Sequence, residues 1–284
     1  MIRRMPRQCI QQQWLDRVPG GLGTEGAGAI GVDEAGRGPW AGPVFAAAVH
    51  VPLDVAIPGV QDSKKMSEKQ REEVYRLLTT NHSITYASAS VSAKRIDEVN
   101  ILQATFEAMT AAVKKVRDSL KQKKNVVVLI DGPKVPPAIQ AACQTARGTR
   151  AEAVIGGDHK MFCIAAASII AKVERDAYLV KMDAKYPGYG FAAHKGYGTE
   201  AHQDALRRLG VCAEHRKLDL TPTRTKGHFQ PMLHNVICTI FFIMDVPISS
   251  FVKISKYHLR TGLDHELPER CQQLLSFFYL RSCC

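Results

Sequence analysis

Apolar residues along the chain fall into short blocks with two distinct periods, and the blocks outline a layered α/β protein. Ala29 to Val32 and Val44 to Val51 are apolar runs of strand length separated by a glycine-rich turn, and they predict two neighbouring strands. Ser67 with Gln70 three residues later forms a capping-box signature, which predicts a helix running through about Leu78. Ile84 to Val91 reads as a third strand. From Leu102 the apolar residues Phe106, Met109, Val113, Val116 and Leu120 recur at spacings of three and four, the stripe of an amphipathic helix lying on a sheet. Val126 to Ile130 is a purely aliphatic run closed by an Asp131-Gly132-Pro133 turn, as expected of a strand buried on both faces. A brief apolar run at Ala153 to Ile155 precedes Gly156-Gly157-Asp158. Met161 to Tyr178, rich in Ala and Ile, predicts a deeply buried helix packed closely on the sheet, and Thr199 caps a further helix ending near Leu209. No internal repeat is present.

At both ends this patterning stops. Gly20 to Gly28 is glycine-rich and reads as a linker, so residues 1–27 form a basic N-terminal segment ahead of a folded region at 28–222. Beyond Arg216, Thr221-Pro222-Thr223 breaks regular structure, and 223–284 reads as a divergent extension, helical or poorly ordered. Arg3, Arg4 and Arg7 precede the first acid, Asp16, which fits either a mitochondrial presequence or a frayed basic terminus.

Charge changes the picture more than composition does. The 284 residues carry a formal net charge of +11 although they include 27 acids, which suits a surface that attracts polyanions around a locally acidic centre. Eight cysteines lack metal-finger spacing and point to free thiols in a reducing compartment. The longest strongly apolar stretch, Val236 to Met244, is about half of the roughly 20 residues that a membrane helix needs. A soluble, cytoplasmic protein with no membrane association is expected, with a mitochondrial or nuclear location as the alternative for a eukaryotic chain.

The candidate chemistry lies at the strand ends. Asp33 and Glu34 close the first run and are followed by Gly36-Arg37-Gly38, where two glycines let the backbone bend and approach a ligand and the guanidinium suits phosphate. Two adjacent carboxylates reach one ion only where the strand ends and the backbone bends. Asp131 stands at the exit of the aliphatic strand, and Asp158 just before the buried helix. Oxygen-only ligands of this kind favour hard cations such as Mg²⁺ or Mn²⁺.

The strings Asp33-Glu34-Ala35-Gly36-Arg37-Gly38-Pro39, Asp62-Ser63-Lys64-Lys65, Asp131-Gly132, Gly157-Asp158, Ala165 to Asp176 and His194-Lys195-Gly196-Tyr197-Gly198-Thr199 stand in the order found in ribonuclease HII, which this chain resembles over roughly residues 28 to 216. The resemblance implies a ribonuclease H-like fold, a mixed central β-sheet flanked by helices. It also implies an endonuclease that hydrolyses RNA in RNA–DNA hybrids, including single ribonucleotides embedded in duplex DNA. Cleavage would use two divalent ions and leave a 3′-hydroxyl and a 5′-phosphate. On the same ground Asp33, Glu34, Asp131 and Asp158 match the metal-binding acids. Gly36, Arg37 and Gly38 match the turn that senses the ribose 2′-hydroxyl, and Tyr197 the tyrosine that packs on the sugar at the DNA side of the junction. Lys64, Lys65, Lys172 and Lys195 are then phosphate contacts. Asp176 is expected to form a structural ion pair, and His194, His202 and His215 to be hydrogen-bonded structural residues.

After Glu214-His215-Arg216 the family continues with a serine or threonine and an aromatic, whereas Lys217-Leu218-Asp219-Leu220 follows here. The motifs resemble the single-chain bacterial type, so a monomer without an obligate protein partner is expected, with a role in removing ribonucleotides and RNA primers during DNA replication and repair. Two other readings use the same residues: a hybrid-binding protein without turnover, and a nuclease of ribonuclease HIII-like or general hybrid specificity, told apart by comparing a long hybrid with a single embedded ribonucleotide.

Overall fold

The computed structural model describes residues 28–220 apart from 53–54, 56, 121–125 and 146–148. The segments 1–27 and 223–284 set apart by the sequence therefore lie outside the described residues. Five strands form one mixed sheet: β1 (Gly28–Ala35), β2 (Val44–Pro52), β3 (Thr85–Val91), β4 (Val126–Asp131) and β5 (Arg150–Val154). Their spatial order is β3-β2-β1-β4-β5. The hairpin β1–β2 and the pair β2–β3 are antiparallel, while β1–β4 and β4–β5 are parallel.

Eight helices accompany the sheet among the described residues: α1 (Glu68–Thr80), α2 (Ala93–Val99), α3 (Ile101–Ser119), α4 (Pro137–Thr145), α5 (Gly157–Lys160), α6 (Phe162–Lys185), α7 (Phe191–His194) and α8 (Glu200–Leu209). Short 3₁₀ turns lie at Ser63–Lys65 and Lys217–Leu220. The capping box at Ser67 forms as expected: its hydroxyl accepts from the Gln70 N–H and the Gln70 side chain accepts from the Ser67 N–H.

The pleat of β1 divides the core. Ala29 belongs to the cluster that includes Ala47, Val49, Leu129 and the apolar face of α6, whereas Ile30 and Val32 pack with Ala46, Ala48, Val128 and Ile130 against α3. Burial of these aliphatic faces is the main stabilising term, at about 25 cal/mol per Å² of apolar surface removed from water. Helix α6 approaches β1 to backbone contact. A Cβ placed on Gly31 would lie 2.1 Å from the carbonyl carbon of Cys163, so only glycine fits there. That close approach carries Asp158, just ahead of α6, toward the end of β1.

Several elements depart from the pattern reading. Helix α3 buries Ala104, Ala108 and Ala112 with Met109, Val113 and Val116, while Leu102, assigned to the stripe, is exposed. Small alanines allow the helix to sit close on the sheet, so the buried face takes in these alanines beside most of the apolar stripe. Helix α6 runs to Lys185, beyond the expected end near Tyr178, because its later turns pack on a separate apolar cluster of Leu179, Tyr189, Phe191 and Leu206. Gly28 opens β1 and is not part of a linker. Helices α2 and α4 are short, with few buried apolar positions to reveal them.

Candidate metal centre

Strand β1 does not stop at its two acids. Its antiparallel pairing with β2 continues to Ala35 opposite Phe45, but its parallel pairing with β4 ends at Val32 opposite Ile130. Asp33 and Glu34 therefore extend past the last β1–β4 pair, and it is the loss of a neighbour on one side that frees them. Asp131, the last residue of β4, sits across this notch. Its Oδ1 accepts from the Gly157 N–H at 2.7 Å, which ties the β4 end to the turn carrying Asp158. Gly157 is confined too: a Cβ there would lie 2.5 Å from Ile164 Cδ1 and 3.3 Å from the Asp131 carboxylate.

The acids feel one another. Burial raises the pKa of Asp33 well above the usual carboxylate range, and Glu34, Asp131 and Asp158 add repulsion. Asp33 Oδ1 accepts from the Glu34 N–H at 2.7 Å, a partial offset. Glu34 is raised by burial and by Asp131, against the pull of Arg37, whose Nη1 stands 3.3 Å from its Oε1. Asp131 is raised by burial and by Asp158, against the Gly157 N–H. Desolvated carboxylates that repel each other, offset only in part by Arg37 and Lys64, have the chemistry of a hard-cation site, and the all-oxygen donor set of these four residues fits Mg²⁺ or Mn²⁺.

The tightest ligand-type group among the described residues is a different one. Asp62, Asp158 and His159 offer ligand atoms that all lie within 4.8 Å of one another, with Asp158 shared between the two sets. His159 places Nδ1 3.6 Å from Asp62 and Nε2 3.8 Å from Asp158. Neither Asp62 nor His159 is among the ligands expected from sequence, although His159 adjoins Asp158; for Asp62 the available signal was its place in the Asp62-Ser63-Lys64-Lys65 block.

The expected substrate contacts divide into exposed and largely covered side chains. Lys64 is exposed and its ammonium lies 3.4 Å from Asp158, at the mouth of the acidic notch; Lys65 is exposed beside it. Lys172 is bound at 2.8 Å to Asp176, four residues on in α6, so Asp176 has the ion-pair role expected of it, with a lysine rather than the adjacent arginine as partner. Lys195 is largely covered and donates to the Ala192 carbonyl at 2.7 Å. Tyr197 is exposed, with its ring edge near Gly38. Gly36 adopts φ +96°, a conformation that favours glycine.

Around Tyr197 three imidazoles form a scaffold, His202 and His215 buried and His194 half-buried. His202 Nδ1 faces the Tyr197 carbonyl at 2.9 Å, and since a carbonyl only accepts, Nδ1 carries the proton. His215 Nδ1 accepts from the Cys212 N–H at 2.9 Å, which leaves its Nε2–H to donate to His202 Nε2 at 3.0 Å. His194 accepts from the Gly196 N–H and packs face to face on His202. All three are structural, as expected. Burial lowers the pKa of His202 and of His215 to about 4.

The sequence profile of the ribonuclease HII family matches residues 30–230. This chain belongs to the ribonuclease HII family. It is 47% identical over 186 residues to ribonuclease HII of Caldicellulosiruptor bescii, covering 66% of this chain and 83% of that protein. It is 45% identical over 204 residues to ribonuclease HII of Coxiella burnetii, covering 71% of this chain and 92% of that protein. Among solved structures, ribonuclease H2 from Pyrococcus horikoshii OT3 superposes with a TM-score of 0.53 at 28% identity, over 70% of this chain and 96% of that one. The ribonuclease H-like fold expected from the motifs is therefore the fold found. As a ribonuclease HII, the protein is a hydrolase of the ribonuclease H class, an endonuclease cutting RNA in RNA–DNA hybrids. No helix among the described residues is long and apolar enough to cross a membrane.

Proposed function

We propose that the chain incises the RNA strand of hybrids and also single ribonucleotides embedded in duplex DNA, leaving a 3′-hydroxyl and a 5′-phosphate, in the service of ribonucleotide and primer removal. Asp33, Glu34, Asp131 and Asp158 would hold two divalent ions, Mg²⁺ or Mn²⁺. Bound there, the ions supply neutralisation of the scissile phosphate and activation of the attacking water. The observation that carries the reading is the gathering of Asp33, Glu34 and Asp131 at the notch where β4 stops pairing with β1, with the turn that carries Asp158 tied to it by the Gly157 N–H on Asp131.

The remaining roles follow from position. Gly36, Arg37 and Gly38 present backbone beside the acids, suited to reading a sugar hydroxyl without reading a base. Tyr197, exposed next to Gly38, offers a flat ring for the adjoining sugar. Lys64 and Lys65 face solvent at the mouth of the notch and meet phosphates directly; Lys172 and Lys195 would reach phosphate only after leaving Asp176 and the Ala192 carbonyl. The catalytic domain is 28–222, acting as a cytoplasmic monomer, with 1–27 and 223–284 as appendages.

The test is incision of a DNA duplex carrying one ribonucleotide, with Mg²⁺ and with Mn²⁺ in turn. Product with a 3′-hydroxyl terminus is expected, and absence of any cut under both ions would refute the proposal. Asp131→Asn keeps an oxygen for the Gly157 N–H but loses the charge. Its incision rate should drop by about 10²-fold or more, the scale of a lost metal-site group, while hybrid binding persists.

A further inference from the structure

Two arginines, Arg175 in α6 and Arg216 after α8, are fully buried, and neither has a carboxylate as its main partner. Their guanidiniums instead make six hydrogen bonds to backbone carbonyls. Arg175 donates to Pro43 at 3.2 Å, Ala41 at 3.1 Å and Lys195 at 3.0 Å. Arg216 donates to Gly42 at 2.9 Å, Arg37 at 3.1 Å and Gly36 at 2.6 Å. Five of these acceptors lie between Gly36 and Pro43, the turn that follows the two acids of β1. The sixth precedes Gly196 and Tyr197. The closest acid to Arg216 is Asp219, at 3.9 Å.

Burying two like charges near each other is unfavourable: burial lowers the pKa of both guanidiniums, and Arg175 depresses Arg216 further, to about 10. A pair serving packing alone would be replaced by apolar residues at no loss. What arginine supplies is a rigid planar fork whose donors hold several carbonyls in one fixed arrangement, which the single nitrogen of lysine does not reproduce. With the carbonyls of Gly36 and Arg37 turned to Arg216, the N–H groups of Arg37 and Gly38 have no protein acceptor among the described residues. Gly36 rests directly on Arg175: a Cβ there would lie 2.0 Å from Nε. The same fork reaches the Lys195 carbonyl, so one side chain sets the spacing between the turn and the loop that carries Tyr197.

We infer that Arg175 and Arg216 are positioning residues for sugar discrimination, clamping the Gly36–Pro43 turn and the Tyr197 loop in the one arrangement that admits a 2′-hydroxyl. This inference rests on the proposed role of that turn, and its test separates the two. In Arg175→Lys and Arg216→Lys, kcat/KM for a duplex with one ribonucleotide should fall roughly tenfold or more, the scale of a lost buried hydrogen bond or two. The inhibition constant of an all-DNA duplex, which reports the exposed lysines, should stay within about twofold, since phosphate contacts carry no sugar information. Amide hydrogen exchange should quicken across 36–43 and 194–198 and not across α3. Parallel loss of ribonucleotide incision and DNA affinity, unchanged incision, unchanged exchange, or failure of both variants to melt cooperatively would each overturn the clamp. If the wild-type protein does not incise single ribonucleotides, the functional proposal fails instead, and the exchange measurement still decides whether the arginines hold the turn.

Discussion

Asp33 shows how one side chain can work against stability and for chemistry. Its folded pKa lies well above that of the unfolded chain, so between the two values the folded state holds a proton that the unfolded state has lost. Stability therefore falls as pH rises through that window, so above the ordinary carboxylate range the metal-free site destabilises the fold. Asp33→Asn should raise the melting temperature of metal-free protein at pH 7 by a few degrees while removing incision, measured by calorimetry and by the single-ribonucleotide assay. His202 and His215 have the opposite sign. Their imidazoles titrate near 6.5 when unfolded and at about 4 when folded, so stability is lost as pH falls from 6.5 toward 4. Protonating His202 would also set an N–H against the Nε2–H of His215. The drop in melting temperature between pH 7 and pH 5 should be smaller in His215→Gln than in the unsubstituted protein, even though the variant starts lower.

At the scale of elements, the site depends on two packing facts: β4 ends before β1 does, and α6 lies against β1 at backbone contact. The second rests on Gly31. Placing a methyl 2.1 Å from the Cys163 carbonyl carbon forces the helix from the sheet, and Gly31→Ala should cost about 1–3 kcal/mol or more, a fall on the order of 5–10 °C in melting temperature. Because Asp158 precedes α6, incision in the folded variant should decline more than hybrid affinity does. Helix α3 shows the same economy on the opposite face, where Ala104, Ala108 and Ala112 let it settle on the sheet. Small residues at the contacts, rather than the large apolar ones that dominate a periodic pattern, set the distances between layers.

For the molecule as a whole, a net charge of +11 implies that hybrid affinity falls steeply with salt, linearly on a double-logarithmic plot. The structure divides the four candidate lysines. Lys64→Ala should reduce the magnitude of that slope by about 1, as expected for one phosphate contact, whereas Lys172→Ala should leave it nearly unchanged, because the Lys172 ammonium is largely covered and held at 2.8 Å by Asp176 while Lys64 is exposed and only 3.4 Å from its acid. What the sequence alone determined about this protein is what short-range rules encode. Short apolar runs located β1 to β4, capping chemistry placed the starts of α1 and α8, and the order of motifs around Asp33, Asp131 and Asp158 indicated the family. Only the tertiary structure decided that β1 outruns β4, that Asp62 and His159 stand beside Asp158, that Lys172 is engaged, and that two arginines from distant segments support one turn. Period and turn preference act between residues a few positions apart, so they can be read from the chain. The pairing of Arg216 with Gly36, 180 positions apart, arises only once strand order and helix contact have brought the two segments together.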